Sequence, residues 1–216
     1  MTDQVAVKKV TYNVAEEIAN AITHGIGFLL SIPALVCLIV VAASRGSAIE
    51  VVSFTIFGIS LMTLYFCSTM LHSLKPSKTR YVFNILDHAA IYLLIAGGYT
   101  PYALISLGGA LGWSLFGVIW GMALLGIVYK VFFLEKFRVV STIVYVIMGW
   151  GIVFAMKPLY YAITGDGIML LIIGGLIFTI GAVIYSFPKL KFGHAIWHLF
   201  VLAGTGFMYF SVLLYV

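Results

Sequence analysis

Charge is what this sequence has least of. Only 9% of its 216 residues are Asp, Glu, Lys or Arg, while 63% are hydrophobic. A water-soluble domain is roughly a quarter charged, so the chain reads as an integral membrane protein. Cysteine is nearly absent as well. Cys37 and Cys67 both lie inside apolar runs, which excludes a disulfide framework and a CxxC metal motif and leaves two small core residues. Stretches of ten residues with strict apolar–polar alternation are missing, which excludes a strand barrel. There is no internal repeat. There is no cleavable signal either, because the first apolar run is too long and is preceded by Glu16 and Glu17. The net charge of +5 does not gather into a patch on a soluble face, so no nucleic acid partner is expected.

What is present is a series of long apolar runs: about Glu17 to Ala43, Glu50 to Leu74, Val82 to Leu104, Leu111 to Phe133, Val139 to Met156, Ile168 to Phe187 and Gly193 to Val216. At ~1.5 Å per residue each crosses a hydrocarbon layer of ~30 Å, the fifth only if it stands upright or its ends snorkel. The expected fold is all-α, a seven-transmembrane helix bundle forming a single integral membrane domain over residues 1–216. Residues 1–16 read as a polar interfacial segment carrying Lys8 and Lys9. Pro33 predicts a kink in the first helix, and the third should break near Thr100–Pro101. Gly117 and Gly121, in a GxxxG arrangement, and Gly149 and Gly151 about Trp150 suit close helix contact.

Orientation follows from counting bases. With the N-terminus inside, the inner connections hold Lys8, Lys9, Lys75, Lys78, Arg80, Lys130, Lys136, Arg138, Lys189 and Lys191, and the outer ones only Arg45 and Lys157. Ten against two predicts a cytoplasmic N-terminus and an external C-terminus.

On that topology the unusual residues gather. Glu17, Asn20 and His24 open the first helix at i, i+3 and i+7, on one face. Ser68 and His72, at i and i+4, close the second. Asp87 and His88 lie near the start of the third, and His194 and His198, again i and i+4, open the seventh. All five histidines and the one Asp well inside a span therefore fall at the inner leaflet, from four separate helices. Three neutral imidazoles with one open position form the ligand set of a catalytic zinc, and His72, His194 and His198 are the candidate ligands. Asp87 is then a general base or a carboxylate that orients a ligand. Ser68 is a hydrogen-bond donor to a carbonyl oxygen or to water, or a hydroxyl bonded back to its own helix. His88, Glu17, Asn20 and His24 are expected around the ligands rather than on the ion.

Other seven-helix readings fail on particular residues. Retinal needs a lysine inside the last helix, and there is none. A bis-histidine haem needs axial ligands on opposite sides of the iron, whereas His194 and His198 share one face; His72 with His24 keeps haem open as an alternative. A channel needs a polar track beyond the inner third, and none continues.

Four motifs in order carry a resemblance over essentially the whole chain. They are Glu16 to Gly25 (EEIANAITHG), Ser68 to His72 (STMLH), Asp87-His88 with Ile91 to Pro101 (IYLLIAGGYTP), and His194 to His198 (HAIWH). The chain resembles the bacterial hemolysin III family of the progestin and adipoQ receptor group, which includes the adiponectin receptors and is related to alkaline ceramidases. The resemblance implies seven helices, a cytoplasmic N-terminus, a zinc held by His72, His194 and His198, and Asp87 and Ser68 beside the metal. In the ceramidase relatives it implies hydrolysis of a lipid amide. Two positions depart from the pattern: Gly98 where Thr is expected, and Met208 where relatives often carry His.

Three functions follow as expectations. The first is a zinc-dependent intramembrane hydrolase acting on a lipid amide or ester, its substrate a membrane lipid whose tails enter between helices from the inner leaflet. The second is a membrane-damaging or pore-forming protein, as the family's name implies, although an amphipathic soluble form is lacking. The third is a receptor or regulator of lipid state with a structural zinc.

Overall fold

The computed structural model describes residues 13–134, 138–187 and 190–216, with the backbone alone described at 138 and 139. The helices are α1 (Val14–Ser44), α2 (Ala48–Ser73), α3 (Lys78–Pro101), α4 (Gly109–Phe133), α5 (Arg138–Trp150), α6 (Met156–Ala162), α7 (Gly165–Tyr185) and α8 (Gly193–Tyr215). A π-helical segment, Tyr102–Leu107, follows α3, and a 3-10 segment, Gly151–Ala155, joins α5 to α6. Counted as membrane crossings these make seven spans, and the described residues contain no strand. The chain is a multi-pass integral membrane protein. Leu29, Leu125, Phe132 and Phe154 stand exposed on its outside, as a lipid-facing belt requires.

Helix starts obey local chemistry. The side chains of Asn13, Ser47 and Ser77 accept hydrogen bonds from the first free amides of α1, α2 and α3. The first span therefore begins at Val14, inside what reads as the polar leader; residues 1–12, with Lys8 and Lys9, lie outside the described residues. Lys136 and Lys189 also lie outside them, as does the Arg138 side chain.

Helix α1 packs on α2, α2 on α3, α3 on α4 and α7 on α8, and α8 returns to α1. More than half of the apolar windows of α2 and α3 is buried, against a third or less in the other spans. These two form the centre, and α5 touches α3 and α7 more sparingly.

Three expectations need correcting. The fifth span does not stop at Met156 but runs from Val140 to Ala162, long enough to cross without standing upright. Lys157 and Pro158 look like a stop, yet Pro158 is the third residue of α6, where its missing N–H would have no helical partner anyway. The break falls instead at Gly151. There the Tyr99 hydroxyl accepts from the amide of Ile152 (2.7 Å) and donates towards the carbonyls of Met148 (2.7 Å) and Gly149 (2.9 Å). Gly117, Gly121 and Gly149 meet nothing within 4 Å, and Gly149 borders the internal cavity instead of a neighbouring helix. Close approach uses other glycines: a Cβ at Gly27 would strike the Tyr65 ring, and one at Gly126 the Tyr92 ring. Lys130, finally, is not in a connection. It lies inside α4 and is 1% exposed.

Pro101 ends α3 as expected, but the span continues through the π-helical turns to Leu107. Gly108 (φ 58°) and Gly109 (φ 49°) then reverse the chain in a conformation that only glycine adopts freely.

Candidate metal centre

Helical periodicity stacks His194 and His198 one turn apart on α8, and the last turn of α2 brings His72 against them. One nitrogen from each of the three lies within 4.8 Å of the others. The ring centroids are 4.5 Å apart for His194 and His198, 4.8 Å for His72 and His194, and 5.2 Å for His72 and His198. All three pairs meet edge-on, so their lone pairs converge instead of stacking.

Helix α1 determines which nitrogen two of the three rings, His72 and His198, offer. Glu17 Oε2 accepts from His72 Nδ1 at 2.7 Å, and the buried Nε2 of His72 is left with no partner. His198 Nδ1 donates to the Asn20 carbonyl at 3.2 Å, with Thr23 Oγ1 at 3.1 Å. In each case the proton sits on Nδ1 and the Nε2 lone pair faces inward, the tautomer that a cation requires. Glu17 is itself held by Arg80, whose Nη2 donates to Oε1 at 2.7 Å while Nη1 donates to the carbonyls of Leu71 and Leu74 at the end of α2. The neighbouring Glu16 accepts from the amide of Phe192 (3.1 Å), a residue in the left-handed region (φ 57°) just before α8. Two adjacent carboxylates thus fix one ring of the cluster and the start of the helix that carries the other two.

His24 belongs to this cluster without being a fourth ligand. Its ring lies parallel to His198, with centroids 3.5 Å apart and planes 13° apart. An ion bound by an imidazole lies near the ring plane, and two rings stacked in this way cannot share one. His24 is 2% exposed, and neither of its nitrogens has a hydrogen-bond partner.

Asp87 lies about two and a half turns into α3, buried, and lines a cavity together with His24, His194 and His198. Ser68 is fully buried beside this carboxylate but does not close a hydrogen bond to it. Nor does it bond its own helix, unlike Ser31, Ser60 and Thr100, whose hydroxyls donate to Phe28, Phe57 and Ala96. His88 lines the same cavity, but its Nδ1 donates to the Asn84 carbonyl (2.9 Å) and is 3.7 Å from Asp87 Oδ2. The cavity, of about 180 Å³, runs from these residues between α3, α5, α7 and α8, past Leu94, Val201 and Phe178, to Tyr102 and Met156 near the other end of the bundle. Lys130 also lines it.

The sequence matches the Haemolysin-III related family over residues 12–209. This chain belongs to that family. Among Haemolysin-III related proteins it is 53% identical to Hemolysin-3 of Bacillus cereus over 216 residues, covering 100% of this chain and 98% of the relative. It is also 53% identical to the Hemolysin-3 homolog of Bacillus subtilis (strain 168) over 204 residues, covering 94% and 96%. A human protein, Monocyte to macrophage differentiation factor, is 32% identical over 203 residues, covering 91% of this chain and 83% of the relative. All four motifs that carry the resemblance lie within the matched region.

Two features lay outside sequence reasoning. Arg80 reads as a topological charge, yet it anchors Glu17 across 63 residues of chain. Thr23 hides within a motif but reaches His198 across 175 residues. The two departures from the family pattern also touch: a Cβ at Gly98 would lie 2.8 Å from the terminal methyl of Met208. They are one packing unit.

Proposed function

We propose that this chain is a zinc-dependent intramembrane hydrolase that cleaves a lipid amide or ester at the cytoplasmic leaflet. One observation carries the reading: His194 and His198 of the three-histidine cluster line an apolar cavity inside the bundle and share its wall with the buried Asp87. The residues fit a zinc ion, since three converging imidazoles include a buried His72 Nε2 with no other partner. Zinc held in this way supplies a Lewis acid and lowers the pKa of a coordinated water to ~7.

This chain's own groups do the rest. Glu17 and the Asn20 carbonyl keep the ligand rings in the required tautomer. Asp87 takes the proton that the attacking water gives up, and Ser68 Oγ, uncommitted to its own helix, donates to the acyl oxygen. The apolar cavity takes the lipid tail and keeps bulk water away. The basic residues of the end that carries the site support the cytoplasmic assignment: Lys75, Lys78, Arg80 and Lys191 lie there, against Arg45 and Lys157 at the other. Reporter fusions after Lys78 and Lys189 should read cytoplasmic and one at the C-terminus external. An internal C-terminus would overturn the assignment.

The test is zinc analysis and turnover of a short-chain ceramide and its ester counterpart on one purified preparation. About one zinc per chain and turnover that chelation abolishes are expected; a zinc-free protein at neutral pH sinks the reading. The Hemolysin-3 name of the Bacillus cereus relative favours a second reading, a membrane-damaging protein. Dye release from liposomes that persists in zinc-free His72→Ala protein, without turnover of either lipid, would favour it.

A further inference from the structure

Gly98 and Met208 both line the cavity, on opposite walls. Met208 stands ten residues beyond His198 on α8, about 15 Å along the axis, and Gly98 eleven beyond Asp87 on α3, about 16 Å. They meet at one depth. A Cβ at Gly98 would come within 2.8 Å of Met208 Cε, and one at Gly174 on α7 within 3.3 Å of Met208 Cγ. The thioether therefore spans the cavity from α8 and lodges between two glycines, one on each facing helix. Cavity-lining residues continue beyond it to Tyr102, Met156 and Leu171, so space lies on both sides of the crossing.

A methionine is the side chain suited to such a position. It is unbranched, flexible at three torsions, and fills irregular space without a polar demand. Phe178 borders the same stretch, and a Cβ at Gly204 would strike its ring, so the wall opposite Gly98 is already tightly packed.

We propose that Met208, seated against Gly98 and Gly174, is the stop that limits how far an acyl tail extends from the histidine cluster, and so selects substrates by chain length. The inference rests on the lipid-hydrolase reading and adds a specificity-determining residue to it. Tails reaching less than ~15 Å from the cluster fit short of the thioether. Longer ones must displace it.

The test measures binding of octanoyl, dodecanoyl, hexadecanoyl and octadecanoyl amides to the purified zinc-loaded full chain by native mass spectrometry in competition. Zinc content and hydrolysis are read in parallel. Unmodified protein should favour the shorter tails, since overfilling a packed wall costs about tenfold or more in affinity. Met208→Ala should move the optimum towards hexadecanoyl and octadecanoyl, Met208→Leu should leave it nearly in place, and Gly98→Ala, which pushes only a flexible methyl, should shift it slightly. Zinc should be unchanged in all three. An identical chain-length profile in Met208→Ala that binds and retains zinc overturns the stop. Should no amide of any length bind the unmodified protein, the lipid-hydrolase reading fails and the stop with it. A shifted profile without hydrolysis would uphold the stop and sink the hydrolase.

Discussion

Hydrogen bonds join helices at both ends of the bundle interior, but at one end they orient imidazole rings and at the other they only tie helices together. At the end that carries the histidines, hydrogen bonds cross between helices: Glu17 to His72, Arg80 to Glu17, Asn20 to His198 and Glu16 to the Phe192 amide. Further along the same helices, Ser31, Ser60 and Thr100 bond carbonyls three or four residues back in their own helix, while Trp120 donates to Thr100 and Ser211 to the Gly167 carbonyl across helices without aiming a ring. A bond to the same helix merely satisfies a hydroxyl in a medium without water. Bonds between helices at the histidine end fix the direction of a ring, and they leave a buried His72 Nε2 with nothing to hold. Polar groups that turn ring nitrogens towards one point are what a binding site requires.

The comparison breaks most severely if a ring is removed. His72→Ala or His198→Ala should abolish zinc occupancy measured by elemental analysis, whereas His24→Ala, stacked but not convergent, should keep most of it. Equal loss in all three would mean that His24 is a ligand after all.

Asp87→Asn comes next. It leaves three imidazoles in place, so zinc should stay bound while lipid turnover falls about 10²-fold or more, the usual contribution of a positioned base. Metal loss on this change would make Asp87 a ligand or an anchor for one, and unchanged turnover would make it structural.

Orienting groups should matter less than ligands. Glu17→Gln is expected to weaken zinc affinity by about 10- to 100-fold, read from chelator competition. Arg80→Ala, one step further out, should weaken it in the same direction but by less. An Arg80→Ala effect larger than that of Glu17→Gln would place the control of His72 elsewhere. At the far end, Ser31→Ala should leave zinc unchanged and alter stability by less than about 1 kcal/mol, the scale of one intramembrane hydrogen bond. Any zinc loss there would erase the distinction between the two ends.

How much of this was legible depended on the range over which each signal acts. The pair His194 and His198 was readable because a helix puts i and i+4 on one face whatever surrounds it. The face made by Glu17, Asn20 and His24 was readable for the same reason. That Glu17 receives His72 was not, since 55 residues separate them and only the packing of α1 on α2 joins them. Periodicity failed at Gly117 and Gly121, where GxxxG is present but faces outward. It failed again at Lys130, because charge alone does not tell a loop from a buried position near a helix end.

Composition and the length of the apolar runs determined by themselves that the chain crosses a membrane as helices, because a bilayer core leaves no other way to satisfy so many backbone groups. Helical spacing then determined which residues share a face. Which faces meet was decided by the tertiary structure alone. It turned Arg80 and Glu17 into supports for His72, stacked His24 on His198 beside the three converging rings, and brought Gly98 to Met208 from 110 positions away in sequence. The reason is physical: propensity and periodicity act within a few residues, whereas the convergence of three imidazoles depends on how four helices pack.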